Sequence, residues 1–417
     1  MTAVDLTDAF GSGVPETGGA GSSCGAEQLA VCPVCEKGVL VPFVHVEDVP
    51  VFCNVLWPTR EAALAAPRGN IRLGYCERCG MIRNLDFDGE LVPASSRSER
   101  SLPFSPSFRA YAQGLARRLI DRYDLRGKDL VDIGCGKGEF IAMLCDETGN
   151  RGVGFDPSYE GESNGADGGR LSFVRDYYSE AYGETPADFI SCRHVLEHVE
   201  SPRQLLGTVS RSTAPHSGVT LYFEMPDGGY MLRENAVWDV IYEHPSYFTA
   251  PALRRLFEDF GFTVRDIGTS FGDQYLWIEA FRNGDRHDAN GSSAGQPAQL
   301  ARLVAAFEKR YAGKIAHWGR RLEAFFADEK RVALWGAGSK GVTFLNVVPG
   351  GDRVGDVIDL NVRKHGRFVP GTGQEVGGPH SLRDARPDVI LVPNRLYAEE
   401  IRRWVGDMDL RAEVVPV

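Results

Sequence analysis

The chain has 417 residues, of which 43% are hydrophobic and 25% are charged, and its formal net charge is −11. This length favours two or three domains with their own cores. The acidic balance, without a long block of lysine and arginine, argues against nucleic acid as the main partner. No apolar run reaches the roughly 18 residues of a membrane span, and the N-terminus lacks the features of a signal peptide. We therefore expect a cytoplasmic protein that acts on a small molecule, away from membranes.

Residues 1–27 are rich in glycine, serine and alanine and show no hydrophobic periodicity. A segment of this composition cannot bury enough apolar surface to fold. We expect a disordered tail.

Two CxxC pairs follow the tail, Cys32–Cys35 and Cys76–Cys79, with 40 residues between them. Each pair places two thiolates on one side of a turn, and two such pairs complete a tetrahedron around zinc. Because sulfur fills all four ligand positions, the ion would be structural. The separation exceeds the usual 15–20 residues, so residues 28–95 are expected to form a small zinc-binding domain. The alternatives are two unrelated pairs or a redox pair.

From about residue 105 the pattern changes to alternating helices and short β-rich runs. An amphipathic helix over FRAYAQGLARRLIDRYDL precedes the runs DLVDIG, GVGFDP, DFISC and VTLYFEMP. Such alternation indicates a parallel sheet covered by helices, an α/β domain of the Rossmann-like kind. We place this domain at residues 100–285.

The segment DIGCGKGEF carries a glycine loop between a predicted strand and a predicted helix. Its spacing is GxGxG rather than the GxGxxG of a dinucleotide site. That spacing suits S-adenosylmethionine (SAM), whose amino-acid end and ribose need a close backbone approach but bring no phosphate. The alternative is a packing loop without a ligand. The candidate SAM-binding residues of the loop are Asp132, Gly134, Gly136 and Gly138.

Two further acids follow in the positions that such a site needs. Asp156 ends the next predicted strand, 24 residues after Asp132, and is expected to hold the ribose hydroxyls. Asp176 lies where the third strand should end, and a side chain there commonly contacts the adenine.

A second glycine loop opens a C-terminal α/β unit at residues 298–417. A polar linker (283–299) and a long helix (about 299–328) lead to the strand VALW and the loop Gly336–Gly341. This loop matches GxGxxG, and Asp359 follows Gly336 by 23 residues, close to the roughly 20 expected for a ribose-binding acid. The loop could hold a nucleotide diphosphate or be an empty structural turn.

Acceptor-side chemistry is expected after the fourth and fifth strands of the central sheet. After the fourth, CRHVLEHVESP places His194, Glu197 and His198 on one helical turn. The HxxEH pattern of zinc proteases is read as coincidence, because the segment directly follows a strand of a SAM-type sheet. His198 or His194 would face the methyl acceptor; the alternative is a packing histidine.

After the fifth strand, WDVIYEHPSYF places Tyr242, Glu243 and His244 on consecutive positions. A carboxylate beside a histidine can orient it and raise its basicity. A tyrosine can stabilise an enolate oxygen. The alternative is the start of a capped helix.

The chain resembles the SAM-dependent sugar C-methyltransferases of deoxysugar biosynthesis, such as the NDP-hexose 3-C-methyltransferases. The likeness runs from Cys32 to the end and covers the cysteine zinc domain, the DIGCGKGEF domain and a Rossmann-like domain opening with GAGSKG. The order of these three modules is more specific than any single motif.

The resemblance implies that a base removes a proton beside a 4-keto group and that the enolate attacks the methyl. The family's histidine falls on His198, and its Glu-His pair falls on Glu243 and His244. The chain departs from the family in two places. Ile241 stands where the family has a tyrosine, with Tyr242 one place nearer the glutamate. A tyrosine-bearing stretch is replaced by SSRSERSLPFSP.

The replaced stretch contains Arg97 and Glu99, and a later loop brings Gln274 and Tyr275 to an expected sugar-facing position. These residues suit either the sugar or another polar acceptor. Two alternatives therefore remain, an O- or N-methyltransferase for another small molecule and a SAM- or nucleotide-binding protein without turnover.

Overall fold

The computed structural model describes residues 29–92, 104–146, 148–161, 169–214, 218–282 and 296–417. The expected disordered tail, together with Arg97 and Glu99, lies outside the described residues. Within them, the α-helices are α1 (Arg60–Leu64), α2 (Pro106–Tyr123), α3 (Glu139–Cys145), α4 (Pro202–Thr213), α5 (Gly228–Arg233), α6 (Ala250–Asp259), α7 (Gln296–Ala327), α8 (Ser339–Val347), α9 (Leu382–Ala385) and α10 (Ala398–Asp407).

The strands form three sheets. They are β1 (Val41–Pro50), β2 (Arg68–Tyr75), β3 (Ile82–Asn84), β4 (Asp129–Ile133), β5 (Arg151–Phe155), β6 (Leu171–Val174), β7 (Phe189–Arg193), β8 (Thr220–Pro226), β9 (Ser246–Tyr247), β10 (Phe262–Ser270), β11 (Tyr275–Arg282), β12 (Val332–Trp335), β13 (Asp356–Ile358), β14 (Val376–Gly377), β15 (Val389–Val392) and β16 (Glu413–Pro416). No helix among the described residues is both long and apolar enough to cross a membrane.

The central sheet has the order β10-β11-β8-β7-β4-β5-β6. Strands β6, β5, β4, β7 and β8 are parallel, whereas β11 runs antiparallel to β8 and β10. The strand order reverses between β4 and β7, which opens a crevice at their carboxyl ends. This arrangement confirms the class I SAM methyltransferase fold expected for the central part of the chain.

Helix α2 shows how local sequence builds one layer on this sheet. Ser105 caps its first turn by accepting from the Phe108 amide, and Pro106 occupies a first-turn position that needs no donor. The buried residues repeat at helical spacing, which turns one apolar stripe toward the sheet. They are Phe108, Ala112, Leu115, Ala116 and Leu119.

The N-terminal sheet is antiparallel, in the order β1-β2-β3-β9. Its last strand comes from a distant part of the chain, since Tyr247 pairs with Ile82 and Ser246 with Arg83. The residues that directly follow Glu243 and His244 therefore belong to this sheet.

The C-terminal sheet is parallel throughout, in the order β14-β13-β12-β15-β16. Its order reverses between β12 and β15, so it is a second Rossmann-like sheet, as the sequence predicted. Helix α7 leads into it with the bounds Gln296–Ala327, close to the expected 299–328.

One apolar core joins the N-terminal sheet, the segment after α5 and the helices α7 and α8. Trp238 lies at its centre and is buried. Its ring meets that of Phe344 at 4.9 Å, and Phe344 meets Trp318 at 5.9 Å. Because three parts of the chain share this core, the segment around residue 240 has little freedom to move alone.

We expect Trp238→Ala to lower the free energy of unfolding by about 3–5 kcal/mol, the usual cost of removing a buried tryptophan. Denaturant unfolding followed by circular dichroism measures this. Trp404→Ala, in the separate and partly open core beneath α10, should cost less. Equal losses in the two variants would contradict a shared central core.

Candidate active site

The first glycine loop adopts left-handed backbone at three positions, with φ of 69° at Gly134, 57° at Gly136 and 77° at Gly138. A Cβ at Gly134 would lie 2.2 Å from Val195, and one at Gly138 would lie 2.4 Å from Phe173. A Cβ at Gly136 would meet nothing within 4 Å. Packing thus requires two of the glycines, while the third faces open space where a ligand can approach.

Two of the predicted acids bracket this loop. Asp156 Oδ2 accepts from the Gly136 amide at 2.9 Å, and its Oδ1 accepts from the Ser158 amide at 2.8 Å. Asp132 is 3% exposed and accepts from Ser191 Oγ at 2.7 Å. Burial raises the pKa of Asp132 to about 6. A carboxylate positioned on the open glycine suits the ribose contact that the sequence predicted for Asp156.

Asp176 follows β6 and is exposed. It accepts from the Tyr182 hydroxyl at 2.7 Å. The Phe155 ring, at the end of β5, lies 4.8 Å from Tyr182 and 5.1 Å from Tyr178. These aromatic rings border the position expected for the adenine, and the adenine contact of Asp176 stays a prediction.

The four predicted metal ligands converge, and all are buried. The sulfur atoms of Cys32 and Cys79 lie 3.5 Å apart, and those of Cys35 and Cys76 lie 3.8 Å apart. A tetrahedral ion with Zn–S bonds of about 2.3 Å requires sulfur separations near 3.8 Å. The Gly38 amide also donates to Cys35 Sγ at 3.3 Å. The donor set and spacing fit a structural zinc ion.

In the second glycine loop an aspartate also accepts from a loop amide, but here a lysine contacts the same aspartate. Asp359 Oδ2 accepts from the Ala337 amide at 2.9 Å, and its Oδ1 accepts from Asn361 at 2.9 Å. Lys364, which is 8% exposed, donates to the same Asp359 oxygen and to the Ala337 carbonyl, both at 3.0 Å. An internal lysine thus uses the carboxylate that ribose hydroxyls would need, which favours a structural role for this loop.

Two of the predicted catalytic histidines lie together. The rings of His198 and His244 meet edge to face with centroids 4.7 Å apart. His198 Nδ1 lies 2.8 Å from the Glu243 carbonyl. Because a carbonyl only accepts, Nδ1 must carry the proton, and the lone pair of the neutral ring is then on Nε2. The Glu243 backbone therefore sets the tautomer of His198.

The Glu243 carboxylate is held by the N-terminal part of the chain. Its Oε2 accepts from the amides of Cys53 at 2.8 Å and Asn54 at 3.2 Å, and from the Asn54 side chain at 3.4 Å. The loop after β1 thus fixes the residue next to His244.

Tyr242 points toward the N-terminal sheet. Its hydroxyl accepts from the Asp88 amide at 2.9 Å and donates to the Asp86 carbonyl at 3.4 Å. Its buried ring lies 5.6 Å from Phe87 and closely against Gly69. These contacts favour a structural role over the enolate-stabilising role that the sequence suggested.

A buried polar network at the ends of β7 and β8 escaped the sequence analysis. Glu224 is fully buried and accepts from the hydroxyls of Tyr111 and Tyr222 and from both nitrogens of the Arg193 fork. Burial alone would raise the pKa of Glu224, but Arg193, His194 and Tyr111 together outweigh it and hold the pKa well below its usual range. A single glutamate in a strand of apolar residues was the available signal.

His194 contacts this network through its ring. Its backbone is left-handed, with φ of 56°. Its Nε2 lies 3.4 Å from Glu224 and its Nδ1 lies 3.7 Å from Glu197. Burial would lower the pKa of His194, but the two carboxylates outweigh it and raise the pKa. Its ring also meets Tyr275 at 4.5 Å. Strained backbone of this kind is typical of functional sites.

The C-terminal sheet reaches the same region through the loop after β15. Gln274 and Asn394 exchange two amide hydrogen bonds, of 2.9 and 3.1 Å. The rings of Phe271 and Tyr397 lie 6.0 Å apart. Gln274, expected to face the acceptor, is thus buried at a contact between the two sheets.

Comparison with known proteins agrees with this architecture. The family model for a methyltransferase domain matches residues 108–267, and the model for a C-methyltransferase C-terminal domain matches residues 297–409. C-methyltransferase NovU of Streptomyces niveus is 27% identical over 306 residues, which cover 68% of this chain and 72% of the relative. These matches support a SAM-dependent C-methyltransferase family and identify the protein as a methyltransferase.

Two solved methyltransferase structures are similar to part of this chain. Magnesium protoporphyrin IX methyltransferase from Synechocystis PCC 6803 with bound SAH is 18% identical, with a TM-score of 0.33 over 42% of this chain and 84% of that one. A putative SAM-dependent methyltransferase from Listeria monocytogenes is 13% identical, with a TM-score of 0.34 over 42% and 100%. Similarity at this level says nothing about the acceptor of this methyltransferase.

The two glycine loops of this methyltransferase, each hydrogen-bonded to an aspartate, form a matched pair for testing SAM binding. We expect Asp156→Asn to weaken SAM binding about 10–100-fold, because a hydrogen bond to a charged group contributes roughly 1.5–3 kcal/mol. Asp359→Asn should leave SAM affinity unchanged, with one site per chain. Isothermal titration calorimetry measures both quantities, and a second SAM site lost with Asp359 would contradict the assignment.

The cysteine cluster makes a separate prediction. Cys76→Ser should lower bound zinc from about one atom per chain to about none and lower the melting temperature, because ligand loss opens the tetrahedron. Elemental analysis and thermal unfolding measure this. Cys145→Ser, buried in α3 away from the cluster, should keep its zinc. Equal zinc content in both variants would exclude the four-cysteine site.

Proposed function

We propose that this methyltransferase transfers a methyl group to a carbon atom of a nucleotide-linked keto sugar, with His244 and His198 as the acid–base pair. The observation that carries the proposal is the contact between the rings of His244, which is buried, and His198, which is partly buried and lies on the turn that follows β7. A methyl acceptor at carbon requires removal of a proton from that carbon, most readily beside a carbonyl group. An imidazole is well suited to this step near neutral pH.

The position of the pair supports this role. Val195 lies so close to Gly134 that no side chain fits between them. The turn that carries His198 is therefore packed directly on the proposed SAM loop. When bound there, SAM supplies an electrophilic methyl group on sulfur. His244 is 9% exposed, so a base in this position works in an environment that largely excludes water.

The charges around α5 support an acceptor with a phosphate-bearing handle. Three cations from the C-terminal part of the chain gather on this segment. Lys340 pairs with Asp239, Arg395 pairs with Glu234 at 3.0 Å, and Lys314 donates to a backbone carbonyl there at 3.2 Å. Clustered cations attract anionic groups such as a diphosphate.

We also propose that Cys32, Cys35, Cys76 and Cys79 hold a structural zinc ion. All four positions of the tetrahedron are taken by sulfur, which leaves none for substrate or water. The ion would join the turn before β1 to the turn between β2 and β3, at one end of the N-terminal sheet. That sheet carries the loop whose Cys53 and Asn54 amides hold Glu243.

The proposed chemistry is tested by incubating the protein with a small panel of nucleotide-linked 4-keto-deoxysugars in heavy water, with and without methyl-labelled SAM. We expect deuterium to enter beside the ketone and the label to appear on carbon, read by NMR and mass spectrometry. His244→Ala and His198→Ala should each lower turnover about 10²–10⁴-fold, the usual contribution of a general base, while SAM affinity stays unchanged.

Tyr242→Phe serves as the control, because the Tyr242 hydroxyl accepts from the Asp88 amide and donates to the Asp86 carbonyl, both of them backbone groups. It should keep most of its activity. Full activity in both histidine variants would exclude the base assignment. Label on oxygen or nitrogen would instead support an O- or N-methyltransferase, and SAM binding without any product would support a non-catalytic role.

A further inference from the structure

Glu197 lies in the turn between β7 and α4 and is 2% exposed. One carboxylate oxygen of Glu197 and one ring nitrogen each of His198 and His244 lie within 4.8 Å of one another. The carboxylate that shares a pocket with both imidazoles is therefore that of Glu197. The carboxylate of Glu243, which is adjacent to His244 in sequence, is held by backbone amides of the loop after β1.

The surroundings of Glu197 make its charge costly. Its Oε2 is buried and accepts no hydrogen bond from the described residues. Its Oε1 is 3.7 Å from His194 Nδ1. A buried carboxylate without hydrogen bonds is destabilised unless positive charge lies nearby. Such a group gains most when a neighbouring imidazole becomes protonated.

We propose that Glu197 is the positioning residue of the base and stabilises the imidazolium that forms on His244. The inference rests on the proposed function. As the substrate C–H bond breaks, its electron pair stays on the substrate as the enolate and its proton moves to the imidazole nitrogen. Glu197 stays ionised and faces the new positive charge. In other acid–base catalysts, a buried carboxylate likewise orients the catalytic histidine and stabilises its imidazolium.

Other charged groups also face this pocket. His194 lies on the same turn, and Glu224 reaches His194 from β8. Arg193 balances Glu224 by donating two hydrogen bonds to one carboxylate oxygen, Oε1. Glu243 contributes its carbonyl to His198 from the segment after β8. Since Arg193 compensates Glu224, Glu197 is the carboxylate whose charge a protonated His244 would balance.

A divalent cation could be held by the same three groups. It would occupy the imidazole lone pairs that the proton transfer needs, so the two roles exclude one another. Chelation therefore has to be part of the test.

The experiment compares full-length, zinc-loaded wild-type protein with Glu197→Gln, using deuterium uptake beside the ketone of the same keto-sugar panel. We expect the exchange rate to fall about 10²-fold, while KM and SAM affinity change little. Removing the carboxylate should lower the pKa of the imidazolium, so the acid limb of the pH–rate profile should move to lower pH. Glu200→Gln, at an exposed position three residues further on, should match wild type.

Glu197→Asp keeps the charge and provides a second variant should Glu197→Gln fold poorly. It should be slower than wild type, with its acid limb closer to that of wild type than to that of the glutamine variant. An acid limb that stays in place in both variants overturns the proposal and leaves Glu197 a structural residue. Activity that is lost on chelation with zinc retained, and restored by magnesium or manganese, also overturns it by making Glu197 a metal ligand.

The two levels of inference fail in different ways. If wild-type protein does not exchange the proton beside any ketone, the proposed function fails and the role of Glu197 fails with it. If wild type exchanges normally and Glu197→Gln does so at the same rate and pH, only the role of Glu197 is overturned.

Discussion

The hydrogen bonds from the Cys53 and Asn54 amides to the Glu243 carboxylate connect the N-terminal sheet to the candidate active site. On its other side, Glu243 uses its backbone carbonyl to fix the His198 ring. One residue thus links the loop after β1 to a histidine on the turn after β7. The pairing of β9 with β3, a few residues later, holds the same segment from its far end.

Through this connection, the cysteine cluster can influence the position of the histidine pair. The cluster holds the turn between β2 and β3, and β3 pairs with β9 directly after His244. The same segment packs on α8 through Trp238 and Phe344. Two separate parts of the chain therefore pack against residues 238–247. This packing restricts the positions that the side chains of His198 and His244 can adopt. Preorganisation of this kind is what a base needs to work without rearranging.

Local features were predictable from the sequence, and features set by tertiary contacts were not. Gly136 and Asp156 could be placed at the same edge of the sheet because a strand, a tight turn and the next strand form one supersecondary unit. The Tyr242 hydroxyl could not be placed, since its partners lie about 150 residues away in the chain. Glu224 reads as an ordinary strand residue until Arg193 and Tyr111 come together around it. Lys364 is separated from Asp359 by only five residues, but only the folded turn shows that it bonds the acid.

The ion pair between Lys364 and Asp359 means that the two Rossmann-like domains differ in how far ligand binding can stabilise them. A ligand that binds only the folded state stabilises it by a free energy that grows with the logarithm of its concentration relative to its dissociation constant. The central half, with an open face at Gly136, is subject to that effect. The C-terminal half contains its own cation at the equivalent carboxylate, because Lys364 donates to Asp359. Bound SAM would therefore stabilise the turn at the first glycine loop, whereas the turn at Asp359 is held by a lysine of the chain itself.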